Sequence, residues 1–296
     1  MSLSVIQGAL ELGLIFAIMS LGIFISFRIL NIPDLTIDGT FTLGTSVSAI
    51  FAVNGHPVLG VIFALIAGGL AGCVTGFLQT KMKVQPILAG ILTMTALYSV
   101  NLRVMGQKPN LSLFDRESIF SGLTRLIGEQ YANLVMIALI LVVSIVVIFF
   151  FLKTQLGMSL RATGDNEDMV RASSINSDAM KIMGLAIANA FVALAGAILA
   201  QYQSFSDVSG GIGMMVVGLA SIIVGEAIFG RKSIIRSLLA VVIGAVVYRF
   251  VLTIALRIGL KAGDLKLFSA ILVTIAICIP TLKSYIMKRR SRRAKD

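Results

Sequence analysis

Between Gly39 and Thr80 the chain runs forty-two residues without an Asp, Glu, Lys or Arg. A helix crosses the hydrocarbon core of a bilayer in about 20 residues, so this run is long enough for two crossings and must fold back on itself. The strong turn signal inside it is Asn54-Gly55-His56-Pro57, an αL-tolerant pair followed closely by a proline. Two spans are therefore expected, 39–54 and 57–79. Composition makes the same point for the whole chain. Of its 296 residues 57% are hydrophobic and 13% charged, against about 25% charged in soluble domains. A soluble fold of this length could not hide so much apolar surface, and so little charge excludes disorder. The expected fold class is all-α, a polytopic helical membrane protein.

The same rule places the other spans at 12–27, 84–102, 133–152, 182–201, 212–229, 234–256 and 267–282, nine in all. The stretch Ile32-Pro33-Asp34-Leu35-Thr36-Ile37-Asp38-Gly39 carries two acids, a proline and a glycine. A broken or re-entrant helix there would make the count eight or ten. The segment 283–296 holds seven Lys or Arg and one Asp. Beside an apolar span such a tail is expected on the cytoplasmic face. With the tail inside, alternate loops carry seventeen Lys and Arg on that side against seven on the other, and nine spans leave the N-terminus outside. Nucleic-acid binding is the weaker reading of the tail, because no aromatic-basic platform or fold motif accompanies it.

The longest loop on the basic side, 153–181, is the most informative. Gly164 is expected to break whatever precedes it, and Asp165 or Asn166 to cap a new helix. Glu167 and Asp168 then fall in the first turn, where the helix dipole favours acids. That short helix carries Met169, Val170 and Ala172 among polar neighbours, flanked by Arg161 and Arg171. It is either a solvated connector or a docking helix for a cytoplasmic partner. A carboxylate inside a span is costly and is normally paired or lines a cavity. For Glu226 the expected partner is Arg249 in the following span, as a pair fixing helix register. A place on the solute path or at a wet span end is the alternative. Gly68, Gly69, Gly72 and Gly76, and likewise Ala193 and Ala197, form small-residue stripes that permit close helix approach, within one chain or across a dimer. Cys73, Cys278 and His56 have no metal-ligand spacing. No nucleophile, base and acid are grouped, and no Walker A motif is present, so neither catalysis nor P-loop ATP binding is expected.

The stretch TQLGMSLRATGDNEDMVRASSINSDAMKIMGLAIANAFVALAGAILAQ, followed by GLASIIVGEAIFG, resembles the permease subunits of ABC importers in the branched-chain amino acid and ribose permease group. It shares that group's T-x-x-G-x-x-x-R-A element, short loop helix and A-L-A-G span. The opening GLIFAIMSLGIFISFRILNIPDLTIDGTFTLGT is similar too, and its IPDLTIDG version looks closest to a subgroup paired with aromatic amino-acid-type binding lipoproteins. Ser174 and Glu226 stand where the group usually has glycine. The resemblance implies one transmembrane permease domain over 1–296, moving a small solute inward by alternating access. It implies that the segment from Thr163 to Ser174 is a coupling helix, with Arg161, Gly164, Asp165, Asn166, Glu167, Met169, Val170, Arg171 and Ala172 as its contact residues. It implies a separate cytoplasmic ATPase that binds the ATP, an extracytoplasmic substrate-binding lipoprotein, a second permease copy as homodimer partner, and no cofactor in this chain. The outside loop 105–131, with Arg116 and Glu117, is the expected docking place for the lipoprotein. A stand-alone secondary transporter or channel is the alternative reading. Few ionisable residues lie in the spans to support it, essentially Glu11, Glu226 and Arg249.

Overall fold

In the computed structural model the described residues are 3–230, 233–265 and 267–274, apart from the side chains of 125–127, 129, 130 and 262. Helices account for most of them. In order these are α1 (Leu3–Ile23, continued by a π-helical turn, Phe24–Ile29), α2 (Thr36–Val53), α3 (Pro57–Thr80) and α4 (Pro86–Val104). A three-residue strand β1 (Asn110–Ser112) leads to α5 (Ser121–Ile127), α6 (Glu129–Lys153), α7 (Gln155–Asp165) and α8 (Glu167–Ala172). Then come α9 (Ser177–Gln203), β2 (Phe205–Asp207), α10 (Met214–Phe229) and α11 (Ile234–Arg257). β1 and β2 pair antiparallel, with Leu111 opposite Ser206. Among the described residues seven helices are long and apolar enough to cross a membrane. α10 is shorter, and the second half of the ninth expected span lies outside the described residues, as do Arg231, Lys232, Lys266, Cys278 and the tail 283–296.

The turn at Asn54–Pro57 forms where the sequence places it. Gly55 takes the left-handed conformation, φ 82°, and Pro57 opens α3, where its missing N–H costs nothing. α3 and α9 pack against each other more extensively than any other two helices, and the glycine stripe is the reason. Gly68 faces the Asn189 carbonyl, Gly72 the Leu185 carbonyl and Gly76 the Ile182 backbone, each so closely that a Cβ would collide. The stripe therefore serves packing within one chain. α6 makes the opposite choice. Leu139, Val142, Val143, Val146, Val147 and Phe150 are all exposed, a surface that suits hydrocarbon.

α9 serves as a ruler for depth. α1 runs antiparallel to it, with Gly8 near Tyr202 and Gly22 against Ala188. α2 runs parallel to it, with Asp34 at Asn189 and Ser48 at Ala197. The suspected break at 32–39 is thus a buried bend between oppositely directed helices and adds no crossing. α2 is buried along most of its length although it carries Thr36, Thr40, Thr42, Thr45, Ser46 and Ser48. Counting back from the contact of Gly44 with Ala193 puts Asp38 beside the middle of α9.

The interruption occurs instead at the seventh expected span. Asp38 Oδ2 accepts from Gly213 N and Oδ1 from Met215 N, both at 2.8 Å, so α10 starts half-way through the bundle. Residues 208–213 reach that depth as a loop, and Gly211 lies so close to the Asp38 carbonyl and the Thr42 hydroxyl that no side chain fits. From there α10 runs 16 residues, about 24 Å at about 1.5 Å per residue, short of the roughly 30 Å of a hydrocarbon core. It descends toward the end where α7 and α8 lie.

Candidate functional site

The layer formed by α7 and α8 is built from its caps outward. Thr154 Oγ1 accepts from Gly157 N at 3.1 Å and starts α7. Leu160 and Thr163 turn inward and are buried. Gly164 does not break the helix, as the sequence reading expected. It lies inside α7, pressed onto the Ile29 carbonyl and the Leu30 backbone with no room for a Cβ. α7 thus lies flush against the buried bend that joins α1 to α2. Asn166 ends α7 and caps α8, its Oδ1 accepting from Met169 N at 3.1 Å. The α7 helix itself was missed because its glycine was read as punctuation.

Glu167 is the centre of a polar network. Its carboxylate accepts from Lys181 Nζ, from Arg171 Nη2 at 2.8 Å and from the Ser177 hydroxyl at 3.2 Å. Arg171 Nε donates to Ser177 Oγ at 2.9 Å, and Asp178 is bonded in turn by Lys81 at 3.3 Å. The Lys181 ammonium, with help from Ser177 and Arg171, holds the Glu167 carboxyl below the ordinary carboxylate range against the effect of its partial burial. These bonds tie α8 to α9 and to the end of α3. The expected contact residues consequently divide by direction. Glu167 and Arg171 spend their charges on α9, and Val170 is buried. Arg161, Asp165, Asn166, Asp168, Met169 and Ala172 are exposed, Met169 at 57%.

Glu226 is paired, but with Arg28 rather than with Arg249. Arg28 Nε donates to Oε1 at 2.7 Å and Nη2 to Oε2, a bidentate fork. The α10–α11 hairpin explains the correction. Gly225 packs on the Ala240 carbonyl and Gly244 on the Ser221 carbonyl. In that register Arg249 lies level with Val216, about 15 Å along the axis from Glu226 at about 1.5 Å per residue. Arg249 instead stacks over the Phe16 ring, 5.6 Å from its centroid. The signal that could have found Arg28 was positional: Arg28 and Glu226 both fall at the same end of their spans. A cavity of about 320 Å³ opens beside the pair, and Arg161, Asp165 and Ser233 share its wall with Arg28 and Glu226. The α7 layer, the bend after α1 and the lower end of α10 therefore meet at one place. α7 touches the bend through backbone contact at Gly164 and borders the cavity beside the ion pair that joins the end of α1 to α10.

Residues 5–279 match the family described as branched-chain amino acid transport system, permease component. A tyrosine transport system permease protein from Clostridioides difficile is 37% identical over 95% of this chain and 92% of its own length. A ribose import permease protein from Haemophilus influenzae is 24% identical over 92% of this chain and 80% of its own length. An autoinducer 2 import system permease protein from Photorhabdus laumondii is 27% identical over 71% of this chain and 59% of its own. No solved structure matches.

Proposed function

The chain belongs to the family of permease components of branched-chain amino acid transport systems, and from that premise we propose that its solute is an amino acid of the aromatic class. It is a multi-pass membrane permease subunit of an ABC importer for a small solute. The observation that carries the aromatic amino-acid reading is the similarity, along nearly its whole length, to the tyrosine permease rather than at lower identity to the ribose permease. The working unit is a homodimer with a separate cytoplasmic ATPase that binds the ATP, and an extracytoplasmic substrate-binding lipoprotein delivers the solute near the 105–131 loop. The chain contributes no catalytic group and no cofactor.

The α7–α8 layer is the coupling element, and its end of the bundle is the cytoplasmic one, where the basic tail would also lie. Support comes from the flush seat of Gly164 on the α1–α2 bend and from the exposed row Arg161, Asp165, Met169 and Ala172. The ATPase would meet that outward row, while Glu167 and Arg171 stiffen the layer from behind. The test is ATP-dependent uptake of L-tyrosine and D-ribose by the complete importer in proteoliposomes. Tyrosine uptake that ribose does not compete with is expected; ribose uptake alone overturns the solute reading. In the same preparation Met169→Asp should lose co-purification of the ATPase. Full retention by Met169→Asp and by Arg161→Glu would place the contact elsewhere.

A further inference from the structure

α4 and α6 both leave most of their length uncovered, yet the chemistry of their open faces differs. α6 shows hydrocarbon a row of Val, Leu and Phe. α4 shows Ile87, Leu88, Ile91 and Leu92 over its first half, but Thr95, Tyr98 and Ser99 farther along, a stretch that hydrocarbon favours less. Behind that face, between α2, α4 and the loop that dips to the start of α10, lies a recess of about 240 Å³. Met94, Tyr98, Val208 and Ile212 give it apolar walls, and Asp38, Thr42 and Asn101 line its polar side.

Two features of the polar side are unexplained by packing. Asp38 holds the first N–H groups of α10, but a carboxylate has about four acceptor positions and two remain. Among the described residues no Lys or Arg pairs with it. Asn101 is 1% exposed; its Nδ2 donates to the Gly39 carbonyl at 3.2 Å, while its Oδ1 is buried without a partner. An orphaned buried acceptor is costly in the absence of a donor. Both groups ask for N–H donors, and the Asp38 carboxylate for donors carrying positive charge. The depth is that at which broken-helix transporters hold their cargo. The volume lies below the roughly 300–1,000 Å³ of sites for drug-sized ligands, and so suits something smaller.

We propose that this recess is a transit site for the solute, in which Asp38 and the Asn101 carbonyl receive the ammonium group of an amino acid while Met94, Tyr98 and Ile212 receive its apolar side chain. The inference rests on the amino-acid reading above and adds the place and the polarity of contact. Asp38, already anchored to α10, does not need to move to accept the ammonium. The solute's ammonium group is thus met beside the middle of α9.

The experiment is uptake of L-tyrosine by the complete importer in proteoliposomes, with Tyr98→Ala and Asn101→Leu compared with the unmodified chain. Tyr98 is 52% exposed, so its truncation leaves the fold intact even where Asn101→Leu disturbs it. Each variant is expected to lose at least about tenfold in uptake per ATP hydrolysed, with hydrolysis measured on the same preparation. A second readout measures occupancy in the permease itself. In a chain with Cys73→Ser and Cys278→Ser, alkylation of Thr95→Cys should slow severalfold with millimolar L-tyrosine and not with N-acetyl-L-tyrosine, which lacks the ammonium group. If the unmodified importer carries ribose and no amino acid, the solute reading falls and this inference with it. If it carries tyrosine and Tyr98→Ala carries it equally well, with alkylation unprotected, the recess alone is overturned.

Discussion

At the α7 end of the bundle charged side chains meet charged side chains: Arg28 with Glu226, Lys181 and Arg171 with Glu167, Lys81 with Asp178. Deeper in the bundle, from the bend at Asp34 to Asp38 at mid-depth, carboxylates meet neutral donors instead. Asp34 accepts from Thr36 N at 2.9 Å and Asn189 Nδ2 at 2.7 Å, and Asp38 accepts from the backbone N–H groups of Gly213 and Met215. The difference follows from solvent access. Where water reaches, a broken ion pair is rehydrated, so such pairs can open and re-form during a working cycle. Where it does not, a stranded N–H or carboxylate stays stranded. The α7 end is built to be remade, and the middle is built to stay.

The largest effect is therefore expected at mid-depth. Asp38→Ala leaves the N–H groups of Gly213 and Met215 unsatisfied, at about 1–3 kcal/mol each. Thermal unfolding of the purified chain in detergent should show a loss of several kcal/mol, and Asp38→Asn, which keeps one acceptor, should lose less. An Asp38→Ala chain that melts with the unmodified one would abolish the distinction between the two regions.

Next comes the ion pair of intermediate burial. Glu226→Ala strands Arg28 and should cost about 1–3 kcal/mol, between the range for exposed pairs and that for fully buried ones. Exchanging the two as Arg28→Glu with Glu226→Arg should recover part of it. A double-mutant cycle of Glu226→Ala with Arg249→Leu should be additive within about 0.5 kcal/mol; strong coupling would restore the pairing the sequence suggested.

The smallest effect belongs to the most exposed network. Glu167→Gln should cost less than about 1 kcal/mol and fade with added salt. Its pH dependence has a definite sign. Because Lys181 lowers the Glu167 carboxyl, the stabilisation is complete above the ordinary glutamate value of about 4.3 and disappears as pH falls through the lower folded value. The difference between the unmodified chain and Glu167→Gln should close in acid. A difference that persists unchanged at the acid limit would show that charge is not its source.

The spans were legible because hydrocarbon imposes a length and a polarity on each helix separately, so charge-free runs and the proline at 57 suffice to place them. The glycine stripe on α3 was legible for the same local reason. What the sequence hid are relations between distant residues. Arg28 and Glu226 are 198 positions apart, and the nearer Arg249 drew the pairing. Gly164 shows the other failure: a glycine can end a helix or let one helix lie against another backbone, and only the Ile29 carbonyl beside it decides which. α10 was given as a full crossing because nothing in its own residues says that its N-terminus is received by Asp38.

That reception has a consequence for how the chain is made. Asp38 leaves the ribosome 175 residues ahead of Gly213, a delay of roughly 9–35 s at about 5–20 residues per second. Through that interval α2 is in place with its acid unanswered, and α10 is too short to anchor itself across the bilayer. α10 and α11, separated by only four residues, must therefore arrive as one hairpin and thread into a bundle already assembled around them. Biogenesis of this protein is thus a race between late arrival and early exposure. Whatever holds the unfinished half in the meantime, lipid headgroup, water defect or insertase, answers Asp34 until α9 arrives and Asp38 until α10 does.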